Sequence, residues 1–215
     1  SRMALLTGAY PVRCGWTKGV AGYLMGPMDG LSPEALTIAE IFQKEGYATG
    51  ISGKWHIGRL PGSRPGDQGF DSSYYNPMSN NQLDEIWRGD EIEVKPTDNR
   101  LLTEMFTNEA KRFIRENHEK PFFLYLPYTA PHFPVLPHPD WKGHSAFGDY
   151  GDVVEELDAR IGEVLGLVDE LKLTENTIVV FLSDNGPQKG QKASALPFRG
   201  KKWSALEGGT RVPAI

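Results

Sequence analysis

Apolar residues recur along the chain with a helical period in some stretches and in unbroken runs in others. Ala35, Ile38, Ala39 and Phe42 fall three or four residues apart and predict a helix that Gly46 stops. Two starts compete for it: Ser32 followed by Pro33, and Thr37 with Glu40 at capping-box spacing. The segment YATGIS then reads as a short strand ending at Gly53. Between Arg100 and His118, Leu102, Met105, Phe106, Ala110, Phe113 and Ile114 predict a second helix. A third spans about Asp149 to Lys172, with Val153, Val154, Leu157, Ile161, Val164, Leu165, Val168 and Leu171 on one face. The runs PFFLYLPY and TIVVFL have the length of buried strands and fall well short of a membrane span. The stretch from Gly58 to Asn99 carries a weaker signal: RLPGSRPGDQGF is a Gly/Pro-rich loop, and EIWRGDEIEVKP is consistent with a hairpin turning at Gly89-Asp90. From Pro187 onward the chain reads mostly as loop, and no internal repeat is visible.

Helices alternating with near-continuous apolar strands predict an α/β fold, a sheet covered by helices on both faces. Sites in such sheets form beyond the carboxyl ends of the strands, so polar clusters should follow each strand. They do. GKWHIG places Lys54 and His56 two residues apart, which in an extended segment turns both side chains the same way. YTAPHFPVLPHP places His132 between prolines that stiffen the loop. His118, His138 and His144 lack that position and read as background. SDNGP supplies Asp184 and Asn185, hard oxygen donors suited to Ca²⁺ or Mg²⁺, although an Asx-type turn explains the same residues. Two donors make a poor cage, and no adjacent Asp-Asp pair exists to complete it. FRGKKWSALEGGTRVP concentrates Arg199, Lys201 and Lys202, either a solvated basic loop or an oxyanion site.

Composition narrows the class. The chain has 215 residues, 39% of them hydrophobic, with 24 glycines and 16 prolines, which suits a loop-rich enzyme better than a helical bundle. A net charge of −5 argues against general nucleic-acid binding but leaves a small anionic substrate open. The single cysteine, Cys14, excludes an internal disulfide, and its loop setting gives it no support as a nucleophile. Cations, histidines and a divalent-metal half-site together suit hydrolysis of a sulfate or phosphate ester.

These clusters, in this order, resemble the sulfatase family (the arylsulfatase A-like branch) of alkaline-phosphatase-like fold. SRMALLTG is similar to the end of the first sulfatase signature and GKWHIG to the second. PFFLYLPYTAPHFP, VVEELDARIGEVL, TIVVFLSDNGP and RGKKWSALEGGTRVP resemble later blocks. The resemblance implies a formylglycine nucleophile made from a Cys or Ser of the first signature. It implies Arg2 as that residue's support and Lys54 and His56 as contacts to sulfate and nucleophile. It further implies His132 facing sulfate and leaving oxygen, Lys202 (five residues before Glu207, with Lys201 its rival) as a sulfate-binding lysine, and Asp184 and Asn185 as metal ligands, Ca²⁺ rather than Mg²⁺. By the same resemblance residues 1–215 are part of a catalytic domain. The signature's Cys or Ser and Pro, an Asp-Asp metal pair and a smaller C-terminal subdomain are expected outside them, and these residues alone are expected to be inactive. Ala9 stands where the family often has Arg. The implied substrate is a sulfated small molecule or glycan. The compartment stays open, with periplasm, lysosome or secretion compatible with the family. Two other readings remain: a phosphonate or phosphate monoester hydrolase on the same scaffold, and a noncatalytic sulfated-glycan binder.

Overall fold

The computed structural model describes residues 1–14 and 30–215. In chain order these form α1 (Arg2–Thr7), α2 (Ile38–Lys44), β1 (Ala48–Lys54), β2 (Ser72–Asn76), β3 (Ile86–Arg88), β4 (Glu91–Val94), α3 (Leu102–Asn117), β5 (Phe122–Tyr125), α4 (Asp149–Glu170) and α5 (Glu207–Thr210). No helix among the described residues is long and apolar enough to cross a membrane.

Of the two starts open to α2, Thr37 prevails. Its hydroxyl accepts the Glu40 N–H at 3.1 Å, while the Glu40 carboxylate accepts the Thr37 N–H at 2.8 Å. Two orphan donors are satisfied reciprocally. Ser32 instead closes a turn, accepting the Ala35 N–H at its carbonyl at 3.0 Å.

The sheet runs in the order β4-β3-β2-β1-β5. β1 is parallel to both β2 and β5, with Gly50 opposite Ser72 and Leu124, and β3 and β4 add the expected hairpin antiparallel to β2. Met3, Leu6, Ala39, Ile51 and Tyr75 form one core under α1 and α2. Tyr74, Ile86, Leu102 and Phe106 form another under α3, and α4 closes over α3 through Ile114, Leu167 and Val168. Helices thus cover both faces, and β1 is buried from Thr49 to Lys54. At Gly50 a Cβ would lie 2.6 Å from the Phe113 ring, so the absence of a side chain sets how closely α3 approaches the sheet.

Three expectations need correction. β2, SSYYN, was not expected as a strand, because its core-facing residues are serines and tyrosines rather than an apolar run. On α4, Val154 and Leu165 stay exposed, because the helix packs mainly on α3 and not on the sheet. The run TIVVFL is not a buried strand: Ile178 is 93% exposed and Val180 66%. Among the described residues its pairing is confined to one bridge, Leu182 with Ala214, and to two bonds between Phe181 and Ile215. β-Branched composition favours an extended backbone, but a strand needs a neighbour to complete its ladder.

β1 ends where the site begins. The Lys54 N–H donates to the Pro127 carbonyl at 2.7 Å, and Gly53 adopts φ 140, where a Cβ would overlap that same carbonyl. Gly53→Ala is expected to destabilise the fold by about 2–4 kcal/mol, from backbone strain and overpacking together. A lowered denaturant midpoint at unchanged slope checks this.

Candidate active site

The parallel strands β1, β2 and β5 each deliver a polar group near their carboxyl ends. Lys54 closes β1, Ser79 follows β2 by three residues, and His132 lies in the loop after β5. The Lys54 ammonium donates to the Ser79 hydroxyl at 3.1 Å, and that oxygen lies 3.4 and 3.5 Å from the two ring nitrogens of His132. Lys54 and Ser79 are buried. Ser79 was not legible in the sequence: a lone serine in a loop has no pattern to mark it.

The loop holds His132 in one orientation. Its backbone N–H donates to the Thr129 carbonyl at 2.9 Å, and Nδ1 donates to the Phe133 carbonyl at 2.6 Å. That bond assigns the proton to Nδ1 and leaves the Nε2 lone pair available. The far end of the same loop is fastened to α4, where the buried Glu156 accepts the His138 N–H at 3.4 Å.

Arg2 enters from α1, anchored by the buried Met3 and Leu6. Its guanidinium donates to the Lys54 carbonyl at 2.7 Å and to the Tyr125 hydroxyl at 3.3 Å. His56 lies just past β1, so strand alternation does not extend to it. It adopts a left-handed φ of 61, with its N–H donating to the Pro77 carbonyl at 3.2 Å.

Lys202 and Asp184 are brought together by a glycine clasp. The Gly186 N–H donates to the Gly209 carbonyl at 3.0 Å, Lys202 N–H to Pro187 at 3.0 Å, and Gly208 N–H to Arg199 at 2.9 Å. A Cβ at Gly186 would overlap the Gly208 carbonyl, and one at Gly209 would lie 2.5 Å from the Ser204 carbonyl. The glycines of SDNGP and LEGGT are therefore required for backbone to meet backbone. The Ser1 hydroxyl adds a bond to the Asp184 carbonyl.

The electrostatics follow from this crowding of cations. Burial, then Arg2 and Lys202, push the Lys54 ammonium down to about 7, against a rise from Asp184. Burial, then Lys54 and, less strongly, Lys202, push His132 down to about 4, against the Phe133 bond and Asp184. Burial and Arg2 lower Lys202 too, with Asp184 opposing. Lys202 is therefore a lysine whose charge reaches both Lys54 and His132. Such mutual repulsion is relieved when an anion enters. Ser79→Ala, which removes a buried partner of Lys54, is expected to weaken binding of inorganic sulfate, measured calorimetrically, about tenfold.

Asp184 and Asn185 carry the donor chemistry of a hard divalent cation. Neither the Asp184 carboxylate nor Asn185 Oδ1 accepts a hydrogen bond from the described residues; the Asn185 amide donates to the Gly186 carbonyl at 2.9 Å. The donor type fits such an ion, but two donors do not close a cage. Among the described residues no group of three His, Cys, Asp or Glu gathers into a metal site.

Cations and a neutral histidine gathered at the ends of parallel strands have the chemistry to handle an oxyanion. A profile of the Sulfatase family matches residues 1–215, and the chain belongs to the sulfatase family. It is 36% identical to the N-acetylgalactosamine-6-sulfatase of Mus musculus and 33% identical to an arylsulfatase of Hemicentrotus pulcherrimus. Each alignment covers 100% of this chain, with 47% and 44% of those proteins, so the chain spans about half the length of the curated relatives it matches. The PsFucS1 sulfatase from Pseudoalteromonas sp. superposes with a TM-score of 0.87 at 28% identity, covering 100% of this chain and 51% of that one. These are structures of the alkaline-phosphatase-like fold. A phosphonate monoester hydrolase from Silicibacter pomeroyi reaches a TM-score of 0.57 at 15% identity over 86% of this chain and 52% of its own, a likeness of fold alone.

Proposed function

We propose that the protein is a sulfuric ester hydrolase of the arylsulfatase type and that Arg2, Lys54, His56, His132 and Lys202 surround the sulfate group of its substrate. The observation that supports this most is the convergence of Lys54, Ser79 and His132 on one point beyond three parallel strands. Lys54 and Lys202 bind the sulfate oxygens as point charges, and they hold that charge where it grows during S–O cleavage. Ser79 orients the Lys54 ammonium. Arg2, held by the Lys54 carbonyl and Tyr125, fixes the base of the pocket. His132, with Nδ1 committed to Phe133, presents Nε2 to the leaving alcohol oxygen and delivers a proton there once the negative charge of the bound sulfate ester has raised its affinity for one. The formylglycine that the family makes from a Cys or Ser would supply an oxygen nucleophile and a bound divalent cation would supply charge neutralisation, and we assign Ca²⁺ to that ion with Asp184 and Asn185 among its ligands.

The substrate we propose is a sulfated small molecule or glycan, a class suggested by the N-acetylgalactosamine-6-sulfatase relatives. The test is turnover by the intact protein of an aryl sulfate, a sulfated hexosamine and an aryl phosphonate monoester. Release of sulfate from either of the first two, at a kcat/KM well above that for the phosphonate, is the expected result. A phosphonate preference would overturn the reading in favour of the other scaffold chemistry. Tight sulfated-glycan binding without turnover would overturn it in favour of a binding protein.

A further inference from the structure

Between Asp184 and Glu207 the chain carries Lys189, Lys192, Arg199, Lys201 and Lys202 and not one carboxylate, within a protein of net charge −5. This segment folds around a cleft of about 540 Å³ lined by Lys189, Leu196, Phe198, Lys201, Lys202 and Trp203, among others. Such a volume lies within the range of small-molecule sites and accommodates a sugar ring. One wall of the cleft is Lys202, whose charge reaches Lys54 and His132, so the cleft adjoins the pocket described above.

Its apolar lining is unusually exposed. Trp203 is 75% exposed and Leu196 84%, and the Lys202 ammonium stands 5.6 Å from the centre of the indole ring. Trp203 also holds a φ of 75, a left-handed conformation that strains a bulky residue. An exposed, strained tryptophan beside lysines presents a flat face for stacking together with charges to pair.

We propose that this cleft is a second sugar subsite, taking a neighbouring sugar that bears its own sulfate or carboxylate while the scissile ester faces Lys54 and His132. Trp203 stacks on the ring and Lys189 and Lys201 pair with its anion. The proposal rests on the sulfatase reading for the meaning of the first pocket, but binding in the second can be measured without turnover.

The experiment is calorimetric binding, by the intact protein, of a disaccharide disulfated across its two sugars and of the same disaccharide lacking the second sulfate. The wild type is expected to favour the disulfated form about tenfold, and Lys189→Gln to remove most of that preference. Trp203→Ala is expected to weaken both ligands about tenfold with an unchanged melting temperature. Selectivity in kcat/KM between the two disaccharides should follow the same order. Equal wild-type affinities, or variants that bind as the wild type does, would overturn the subsite. So would a Trp203→Ala variant that loses melting temperature but not affinity, which would make the surface an internal packing face. The expected binding pattern without hydrolysis of any ester would leave the subsite standing and remove the sulfatase reading instead.

Discussion

His132→Ala is expected to lower kcat on a sulfate ester by about 10²–10⁴-fold, the usual range for loss of a positioned proton donor. KM should move far less, because the sulfate contacts proposed above are made by Lys54 and Lys202. The pH profile separates a chemical role from a structural one. In the free site His132 is neutral down to about 4, held there by burial and by Lys54. A bound sulfate ester places negative charge beside the ring and raises its proton affinity. The limb of kcat that falls as His132 deprotonates should therefore sit above the corresponding limb of kcat/KM, since kcat reports the complex and kcat/KM the free protein. In His132→Ala both limbs vanish. A variant that loses activity while keeping the profile would show that the histidine only shapes the loop.

Lys54→Met is expected to weaken inhibition by inorganic sulfate about 10–100-fold below pH 7, the worth of one charged hydrogen bond in a buried pocket. The dependence on pH is the sharper signature. Lys54 loses its proton near pH 7 in the free site, so only a falling fraction of wild-type protein is competent for the anion above that pH. Apparent sulfate affinity should fall about tenfold per pH unit there, and the slope should disappear in the variant. Stability moves the other way. Between about 7 and 10.5 the unfolded chain keeps a proton that native Lys54 has released, so native stability rises with pH across that window. A urea titration series over this range should show the rise in the wild type and a flattened curve in Lys54→Met.

The three longer helices, α2, α3 and α4, were legible in the sequence because each carries a stripe of helical period, whereas the four-residue α5 lies in a stretch that reads as loop. Leu102, Phe106, Ala110 and Phe113 fix α3 with no need for outside information. β1 and β5 were legible for other reasons: YATGIS follows the glycine that stops α2, and PFFLYLPY is an unbroken apolar run even though β5 lies at the edge of the sheet. β2 was not: SSYYN is central in the sheet, yet its serines and tyrosines carry no apolar alternation. TIVVFL failed in the opposite sense, since its composition describes a strand while its pairing depends on a neighbour that local sequence does not specify. Within the site, Lys54 and His132 could be found because one ends a readable strand and the other lies in the loop that follows one. Ser79 stands beyond the unreadable one and was lost with it. The shared orientation expected of Lys54 and His56 assumed an extended backbone, which ends at Lys54.

The glycine clasp has a consequence for how such a site diversifies. Gly186, Gly208 and Gly209 join backbone to backbone on either side of the segment from Gln188 to Phe198, so both ends of that segment are pinned whatever lies between them. The intervening residues form part of the wall of the cleft and contribute nothing to the clasp's glycine contacts. They can therefore be lengthened, shortened or grafted from a relative without moving Asp184 or Lys202. A joint that admits no side chain keeps the chemistry constant and leaves the adjoining loop free to be exchanged as a module.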